Sequence, residues 1–285
     1  MAWRRFILVT KPGIVVGNVL AAVGGYCVGS PDGVRWSALL GLGIGTMFVI
    51  AASCVVNNFL DRDIDARMGR TAKRPSVTGA ITLNIGVAYA AVLYLLGFGV
   101  LLWQTNLATT AVGVLGAFGY TVVYGYAKRR THYATFVGSF PGATPPVAGY
   151  VAATGRFDQV ALLLFVAMFA WQMPHFYAIG IFRAADYKRA GVPVLPLVKG
   201  LGRTVWEMRL YGVGFMVLCY LLARWGQAGF MFGVAMVALS LYWLQPMFSP
   251  HWRRDREAIA RLVFKRSLHV LFGLCFFLAM SHVLL

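Results

Sequence analysis

Nine apolar segments, each close to the length that crosses a bilayer, run through this chain of 285 residues. A transmembrane helix needs about 20 mostly apolar residues. The segments lie at 13–30, 36–58, 81–103, 106–126, 134–153, 160–180, 205–223, 228–246 and 267–285. The composition agrees, because 59% of the residues are hydrophobic and only 12% are charged. The sequence therefore predicts an all-α, polytopic membrane protein in which residues 1–285 form a single domain.

Basic residues are concentrated on one side of the predicted spans. All but three of the 26 Lys and Arg residues precede the first span or follow the second, fourth, sixth or eighth span, in the loop or at the start of the next span; the exceptions are Arg35, Arg156 and Arg224. The positive-inside rule places such loops in the cytoplasm. We therefore predict a cytoplasmic amino terminus and, with an odd number of spans, a carboxyl terminus outside.

The net charge of +17 does not require a nucleic-acid partner. Topology and attraction to the anionic headgroups of the lipid bilayer explain it. The chain has no Arg- and Ser-rich transit segment, which favours a bacterial plasma membrane.

Three of the nine acidic residues, Asp61, Asp63 and Asp65, fall within five positions at the end of the second span. Because residues four apart share a helix face, Asn57, Asp61 and Asp65 should line up, whereas Asp63 should point elsewhere and pair with Arg67. Mg²⁺ commonly takes one or two carboxylates and completes its shell with waters and phosphate oxygens. The pattern predicts a metal-bridged diphosphate site. The alternative is that these acids only face water.

The sixth span ends in a second polar cluster that includes His175, Arg183 and Asp186. Spans two and six run in the same direction, so their polar ends should meet the same membrane face. Bases in the loops of that face could contact phosphate oxygens or serve only as topology charges. They are Lys73, Arg74, Lys128 and Lys199. His175 could be a buried structural histidine, a ligand of porphyrin iron, or a polar group in a substrate cleft.

The fifth predicted span contains Pro141, Pro145 and Pro146. These prolines remove backbone hydrogen bonds and should break or bend a helix. Irregular backbone is tolerated in lipid only when it is buried in protein or lines a cavity. The sequence leaves open whether this segment lines a cavity or is a structural kink.

The chain resembles the UbiA-type intramembrane prenyltransferase superfamily, whose first motif has the form Asn-Asp-x-x-Asp-x-x-x-Asp. Asn57, Asp61 and Asp65 match this motif, and Asn58 replaces its first Asp. Within the superfamily the chain is most similar to the protoheme IX farnesyltransferase family. The similarity rests on segments 10–13, 57–65, 70–74, 145–146, 171–175 and 183–196.

The resemblance implies nine helices around a central cavity that opens near the cytoplasmic face. It further implies farnesyl diphosphate held through Mg²⁺, and transfer of the farnesyl group to a vinyl group of haem B with addition of water. The products would be haem O, used by terminal oxidases, and diphosphate. Haem A synthase or oxidase assembly factors are possible partners.

The implied residues fall into three sets. Asn57, Asp61 and Asp65 would bind the metal. Asp61, Asp65 and Asp186 would be catalytic. Asn58, Lys73, Arg74, Lys128, His175, Arg183 and Lys199 would contact substrate.

One departure from the superfamily pattern concerns its second motif, which usually carries two aspartates. Only Asp186 is present here, so a symmetric second Mg²⁺ site is not expected, and Asp186 would bind metal through water or orient Arg183. Haem propionates would favour Arg or Lys, and His175 or His132 could approach the iron. Two alternatives are a prenyltransferase for a quinone precursor such as hydroxybenzoate and a transporter of an anionic metabolite.

Overall fold

The computed structural model describes residues 3–226 and 228–281, and the regular structure in these residues is entirely helical. The helices are α1 (Trp3–Val9), α2 (Pro12–Val28), α3 (Trp36–Leu60), α4 (Arg62–Ala66), α5 (Leu83–Gln104), α6 (Leu107–Arg130), α7 (Ala134–Gly142), α8 (Thr144–Thr154), α9 (Gln159–Phe182), α10 (Ala184–Ala190), α11 (Leu195–Val198), α12 (Gly200–Trp225), α13 (Phe230–Leu244) and α14 (Arg256–Ala279). A π-helical turn, Gly119–Val123, lies within α6. Two 3₁₀ turns, Gln245–Phe248 and Pro250–Arg253, follow α13.

Within the described residues, seven helical segments are long and apolar enough to cross a membrane: α3, α5, α6, α9, α12, α13 with the 3₁₀ turn after it, and α14. The α1–α2 pair is an eighth candidate, bent by 54°. The bend lies at Lys11, whose φ is 55°, immediately before Pro12, which cannot continue the hydrogen bonds of α1. The prediction of an all-α, polytopic membrane protein is confirmed.

The predicted count of nine spans depends on the proline-rich fifth segment. It forms two helices, α7 and α8, of 9 and 11 residues that are separated at Ala143. Neither is long enough to cross a bilayer alone. The hydroxyl of Thr144 donates to the carbonyl of Pro141 at 2.8 Å, near Pro145, which has no N–H to offer. Nine spans therefore stays a prediction.

The last helix differs most from its predicted limits. α14 begins at Arg256, whereas the predicted span began at residue 267. The hydropathy pattern missed the first turns of this helix because their basic residues lower the local hydropathy. Residues 282–285 of the predicted last span lie outside the described residues.

Helices α2 and α8 cross with their backbones in contact. A Cβ atom on Gly25 would collide with the carbonyl group of Pro146, and one on Gly149 would collide with the carbonyl of Ala22. Small residues permit this close approach between membrane helices, where van der Waals packing drives association. The contact holds the proline-rich segment against α2.

A cavity of about 1150 Å³ lies between the helices. It is lined mainly by α2, α3, α6, α7, α8, α9 and α14, together with the segments that follow α3 and α9. Pro141 and Pro145 are among the lining residues, so the proline-rich segment both breaks the helix and borders the cavity. The membrane face to which the cavity opens stays a prediction from the basic loops.

Candidate active site

The acidic run follows the end of α3, and a break at Asp61 determines how its side chains are arranged. α3 ends at Leu60 and α4 begins at Arg62. The N–H of Asp61 still donates to the carbonyl of Asn57 at 3.0 Å, and the N–H of Asp65 donates to the carbonyl of Asp61 at 2.7 Å. Helical spacing therefore continues through the break. Asn57, Asp61 and Asp65 all line the cavity.

Asp61 forms a buried ion pair with Lys128 from the end of α6. The Lys128 Nζ atom lies 2.5 Å from Oδ2 of Asp61, and the two side chains are 8% and 13% exposed. The same ammonium lies 5.1 Å from the centre of the Tyr124 ring, an arrangement that favours the cation. Oδ1 of Asp61 is buried and has no hydrogen-bond partner within the described residues. Burying a carboxylate oxygen without a hydrogen-bond partner costs free energy, and a bound ligand or metal ion would remove that cost.

Asp65 is neutralised by Arg74, which returns from the loop after α4. The Arg74 guanidinium lies 2.5 Å from Oδ2 of Asp65. The hydroxyl of Thr71 donates to the carbonyl of Asp65 at 2.9 Å, which ties this loop to α4. Arg70 and Arg74 from the loop both line the cavity.

The two asparagines of the first motif have different environments. The Lys11 ammonium donates to Oδ1 of Asn57 at 2.9 Å, and both residues line the cavity. The amide of Asn58 instead donates to the carbonyl of Val9 at 2.6 Å, at the end of α1. Asn58 does not line the cavity, and its contact anchors α1 to α3.

Asp63 faces away from the cavity, as predicted, but its partner is Arg129 rather than Arg67. Arg129 donates to both carboxylate oxygens of Asp63, at 2.8 and 2.6 Å, and to the carbonyl of Leu60 at 2.5 Å. This guanidinium lowers the pKa of the Asp63 carboxyl to about 2. The predicted ion pair between Asp63 and Arg67 is therefore wrong. α4 ends at Ala66, before Arg67, and Arg129 of α6 binds both oxygens of the Asp63 carboxylate instead.

Charge is distributed unevenly along the cavity. The acidic lining residues among those described are Asp61 and Asp65, and the basic ones are Lys11, Arg70, Arg74, Lys128, Arg183, Arg261 and Lys265. The rest of the wall includes apolar side chains such as Val49, Leu101 and Leu271. Along α3 the lining extends from Thr46 to Asp61, about 22 Å at the rise of a helix. The cavity thus combines a set of mostly basic charged side chains with a long, largely apolar wall.

A model of the UbiA prenyltransferase family matches residues 18–279. The chain belongs to the UbiA prenyltransferase family. A protein named protoheme IX farnesyltransferase 2 from Pseudomonas paraeruginosa is 44% identical over 269 residues, which are 94% of this chain and 91% of that protein. A solved structure of digeranylgeranylglyceryl phosphate synthase superposes with a TM-score of 0.80 at 17% identity, covering 100% of this chain and 99% of that one. A UbiA homologue from Archaeoglobus fulgidus, bound to GPP and Mg²⁺, has a TM-score of 0.66 at 17% identity, covering 94% and 99%.

In this UbiA-family chain the end of α9 carries a buried histidine on the cavity wall. His175 is 8% exposed, and its Nδ1 lies 2.7 Å from the hydroxyl oxygen of Ser267. The ring stacks on Trp171, with centroids 4.7 Å apart and planes 25° apart. It also contacts the ring of Phe264. His175 is therefore both hydrogen-bonded and part of the cavity wall. His132, the other histidine considered for the iron, is not among the lining residues.

Asp186 does not line the cavity, although the basic Arg183 does. The Asp186 carboxylate makes an ion pair with Arg189 and lies 3.9 Å from the Arg183 guanidinium. These contacts favour the orienting role over the water-mediated metal contact. Tyr187 lines the cavity beside them, and burial raises the pKa of its phenol.

The structure does not bring two of the predicted phosphate contacts to the site. Lys73 and Lys199 are exposed and do not line the cavity. Both belong to connecting segments outside the long helices, so their position along the chain did not indicate where their side chains lie.

Four cavity bases were not predicted as site residues: Lys11, Arg70, Arg261 and Lys265. Lys11 and Arg70 belong to segments 10–13 and 70–74, on which the family resemblance rests, so the resemblance could have indicated them as site residues. Arg261 and Lys265 are four residues apart on α14 and had no comparable signal, because they look like ordinary topology charges.

Proposed function

We propose that this protein transfers the farnesyl group of farnesyl diphosphate to a vinyl group of haem B, with addition of water, to form haem O. The relatives that match nearly the whole chain are named protoheme IX farnesyltransferases. The observation that carries the proposal is the cavity itself. Asp61, Asp65 and several bases lie on the wall of a deep chamber that also has apolar surface, which suits a charged diphosphate and a three-unit isoprenoid chain.

The residues present suit a Mg²⁺ ion at the first motif. Within the described residues no three His, Cys, Asp or Glu side chains form a metal cluster, but Mg²⁺ needs only one or two carboxylates beside phosphate oxygens and water. Asp61 has a buried oxygen without a hydrogen-bond partner among residues 3–226 and 228–281, and Asp65 and Asn57 line the same cavity. Asp61 and Asp65, aided by Asn57, would hold the ion. When bound, it would act as a Lewis acid that neutralises charge on the departing diphosphate.

The chain's own bases would bind the diphosphate from several sides. Lys128 and Arg74 are already held in place by Asp61 and Asp65, and Lys11 is held by Asn57. Fixed ammonium and guanidinium groups stabilise negative charge that develops on a leaving group, at little reorganisation cost. The apolar wall would exclude water from the allylic cation until the acceptor reacts.

The proposed farnesyl transfer has three chemical steps. The C1–O bond of farnesyl diphosphate breaks, and diphosphate leaves with the electron pair. The π electrons of the haem vinyl group form the new carbon–carbon bond to C1 and leave a cation beside the pyrrole ring. Water adds to this cation and loses a proton, which gives the hydroxyfarnesylethyl group of haem O.

We also propose that residues 1–285 form one catalytic domain with a cytoplasmic amino terminus and the charged end of the cavity on the cytoplasmic side. The family match over residues 18–279 and the distribution of basic loops support this arrangement. The bacterial relatives favour the inner membrane. Haem A synthase and oxidase assembly factors stay candidate recipients of the product.

The deciding experiment is a product assay. Purified protein in detergent is incubated with farnesyl diphosphate, Mg²⁺ and either haem B or 4-hydroxybenzoate. We expect a product with the mass of haem O, formed only from haem B and lost when EDTA removes the metal. Prenylation of the benzoate alone would support the quinone-precursor alternative. Movement of an unmodified anion into liposomes, without either product, would support transport.

Lys11→Gln is expected to raise the KM for farnesyl diphosphate by roughly tenfold, because it removes a charge-assisted contact to the anion. Lys11 lines the cavity and is held by Asn57. Initial rates at varied donor concentration give the KM. Arg4→Gln is the matched control, since Arg4 is exposed on α1 and does not line the cavity. Equal KM values for the two variants would remove Lys11 from the donor site.

A further inference from the structure

A second group of basic side chains reaches the cavity from the end of α9 and from α14, rather than from the start of α2, the loop after α4 and the end of α6. Arg183 lies at the end of α9, and Arg261 and Lys265 lie one turn apart on α14. The ion pairs of Arg183 and Arg261 are longer than the 2.5 Å pairs that Asp61 and Asp65 form at the first motif. Arg183 lies 3.9 Å from Asp186, and Arg261 lies 3.5 Å from Glu257 with both side chains about half exposed. Lys265 has no carboxylate partner among residues 3–226 and 228–281.

These bases border a continuous surface of aromatic rings. The guanidinium groups of Arg183 and Arg261 lie 5.6 and 4.9 Å from the centre of the same ring, that of Phe182. The Phe182 ring contacts Phe264 at 5.6 Å, and Phe264 contacts His175 at 4.9 Å. All five side chains line the cavity.

The composition of this wall differs from that of the donor site. The described lining residues of α9 and α14 include no carboxylate, so this wall has no acidic group to hold a divalent cation. An anion that binds here must contact the bases directly. Arginine suits this task because its planar fork matches a carboxylate and stacks on aromatic rings.

We propose that Arg183, Arg261 and Lys265 bind the carboxylate arms of the acceptor, while its macrocycle lies against Phe264 and His175. The inference rests on the proposed function, since it takes haem B as the acceptor. Haem B combines an aromatic body with two propionates on one edge, and this wall combines aromatic side chains in contact with one another with bases beside them. On this proposal the donor is held by bases from the start of α2, the loop after α4 and the end of α6, and the acceptor by bases from the end of α9 and from α14.

The test compares haem B with its dimethyl ester, in which both carboxylates are blocked. Arg261→Gln/Lys265→Gln is purified in detergent, and each porphyrin is titrated by its Soret difference spectrum. We expect the affinity of the variant for haem B to fall roughly tenfold or more, the loss typical of a charge-assisted hydrogen bond. Its affinity for the dimethyl ester should match that of the unaltered protein.

Two further variants serve as controls. Arg254→Gln/Arg256→Gln removes the same charge from exposed positions that do not line the cavity, and should bind both porphyrins normally. Arg261→Lys/Lys265→Arg keeps the charges and should recover most of the affinity for haem B. In turnover assays the KM for farnesyl diphosphate should stay within about twofold for Arg261→Gln/Lys265→Gln, because the donor binds elsewhere.

Three outcomes would overturn the inference. Equal loss of haem B and dimethyl ester binding would mean that the two bases support the fold or bind lipid phosphate. A raised KM for farnesyl diphosphate with unchanged haem binding would assign them to the donor. An unchanged affinity for haem B together with an unchanged KM for farnesyl diphosphate would mean that Arg261 and Lys265 serve only as topology charges. Failure of the proposed function is distinct, because the unaltered protein would then form no haem O whatever the titrations show.

Discussion

Asp61→Asn and Asp65→Asn are each expected to lower kcat by about 10³-fold or more, because the charge stabilisation supplied by a bound metal is worth several kcal/mol. Both carboxylates line the cavity, and one oxygen of Asp61 has no hydrogen-bond partner within the described residues. Each change keeps the shape of the side chain and still offers an oxygen to Lys128 or Arg74. The loss should therefore occur in folded protein, as measured by turnover and by elution as a single peak in gel filtration.

Asp63→Asn is the matched control for these two variants. Its carboxylate is 56% exposed and contacts Arg129 rather than the cavity. An exposed pair of this kind contributes at most about 1 kcal/mol to stability. We expect turnover within about threefold of the unaltered protein, which is less than 1 kcal/mol in the activation barrier. If all three aspartate variants kept full turnover, the assignment of the metal to Asp61 and Asp65 would be wrong.

Gly25→Val and Gly149→Val are expected to have the largest effects on stability. In each case the new side chain would meet a backbone carbonyl of the facing helix, which cannot rotate aside as a flexible side chain does. Overpacking of this kind costs about 3 kcal/mol, enough to lower Tm by roughly 5 °C or more. Thermal unfolding of purified protein in detergent, at one fixed scan rate, measures the shift.

Gly99→Val provides the comparison for the two glycine variants. Gly99 lies on an exposed face of α5, and a Cβ there would meet no atom of the described residues within 4 Å. The same change in side-chain volume should leave Tm nearly unchanged. If the three valine variants unfolded at the same temperature, α2 and α8 could not be in backbone contact.

Helix spacing alone anticipated much of the candidate site. Asn57, Asp61 and Asp65 were expected on one face and do line the cavity, because hydrogen bonds between residues four apart persist through the break at Asp61. The same spacing separated Asp63 from them correctly. The prediction for Arg67 was wrong because local spacing cannot anticipate a stronger partner from another helix, here Arg129.

The hydropathy pattern predicted the spans best where charge was sparse. α3 and α9 begin and end close to their predicted limits. The start of α14 was misplaced because Arg256, Arg261 and Lys265 lower the hydropathy of a segment that is nonetheless helical. The fifth segment was correctly expected to be irregular, and the structure places its prolines both at the helix break and on the cavity wall.

The sequence by itself determined that the chain is a helical membrane protein, which residues of the first motif share a face, and which family it resembles. These properties depend on hydropathy and on spacings of a few residues. Only the tertiary structure decided which bases neutralise the carboxylates and which line the cavity beside Phe182 and Phe264. Lys128 and Asp61 are 67 positions apart, and Arg261 meets Phe182 from another helix. Such contacts depend on how whole helices pack, and packing is set by shape across the entire interface.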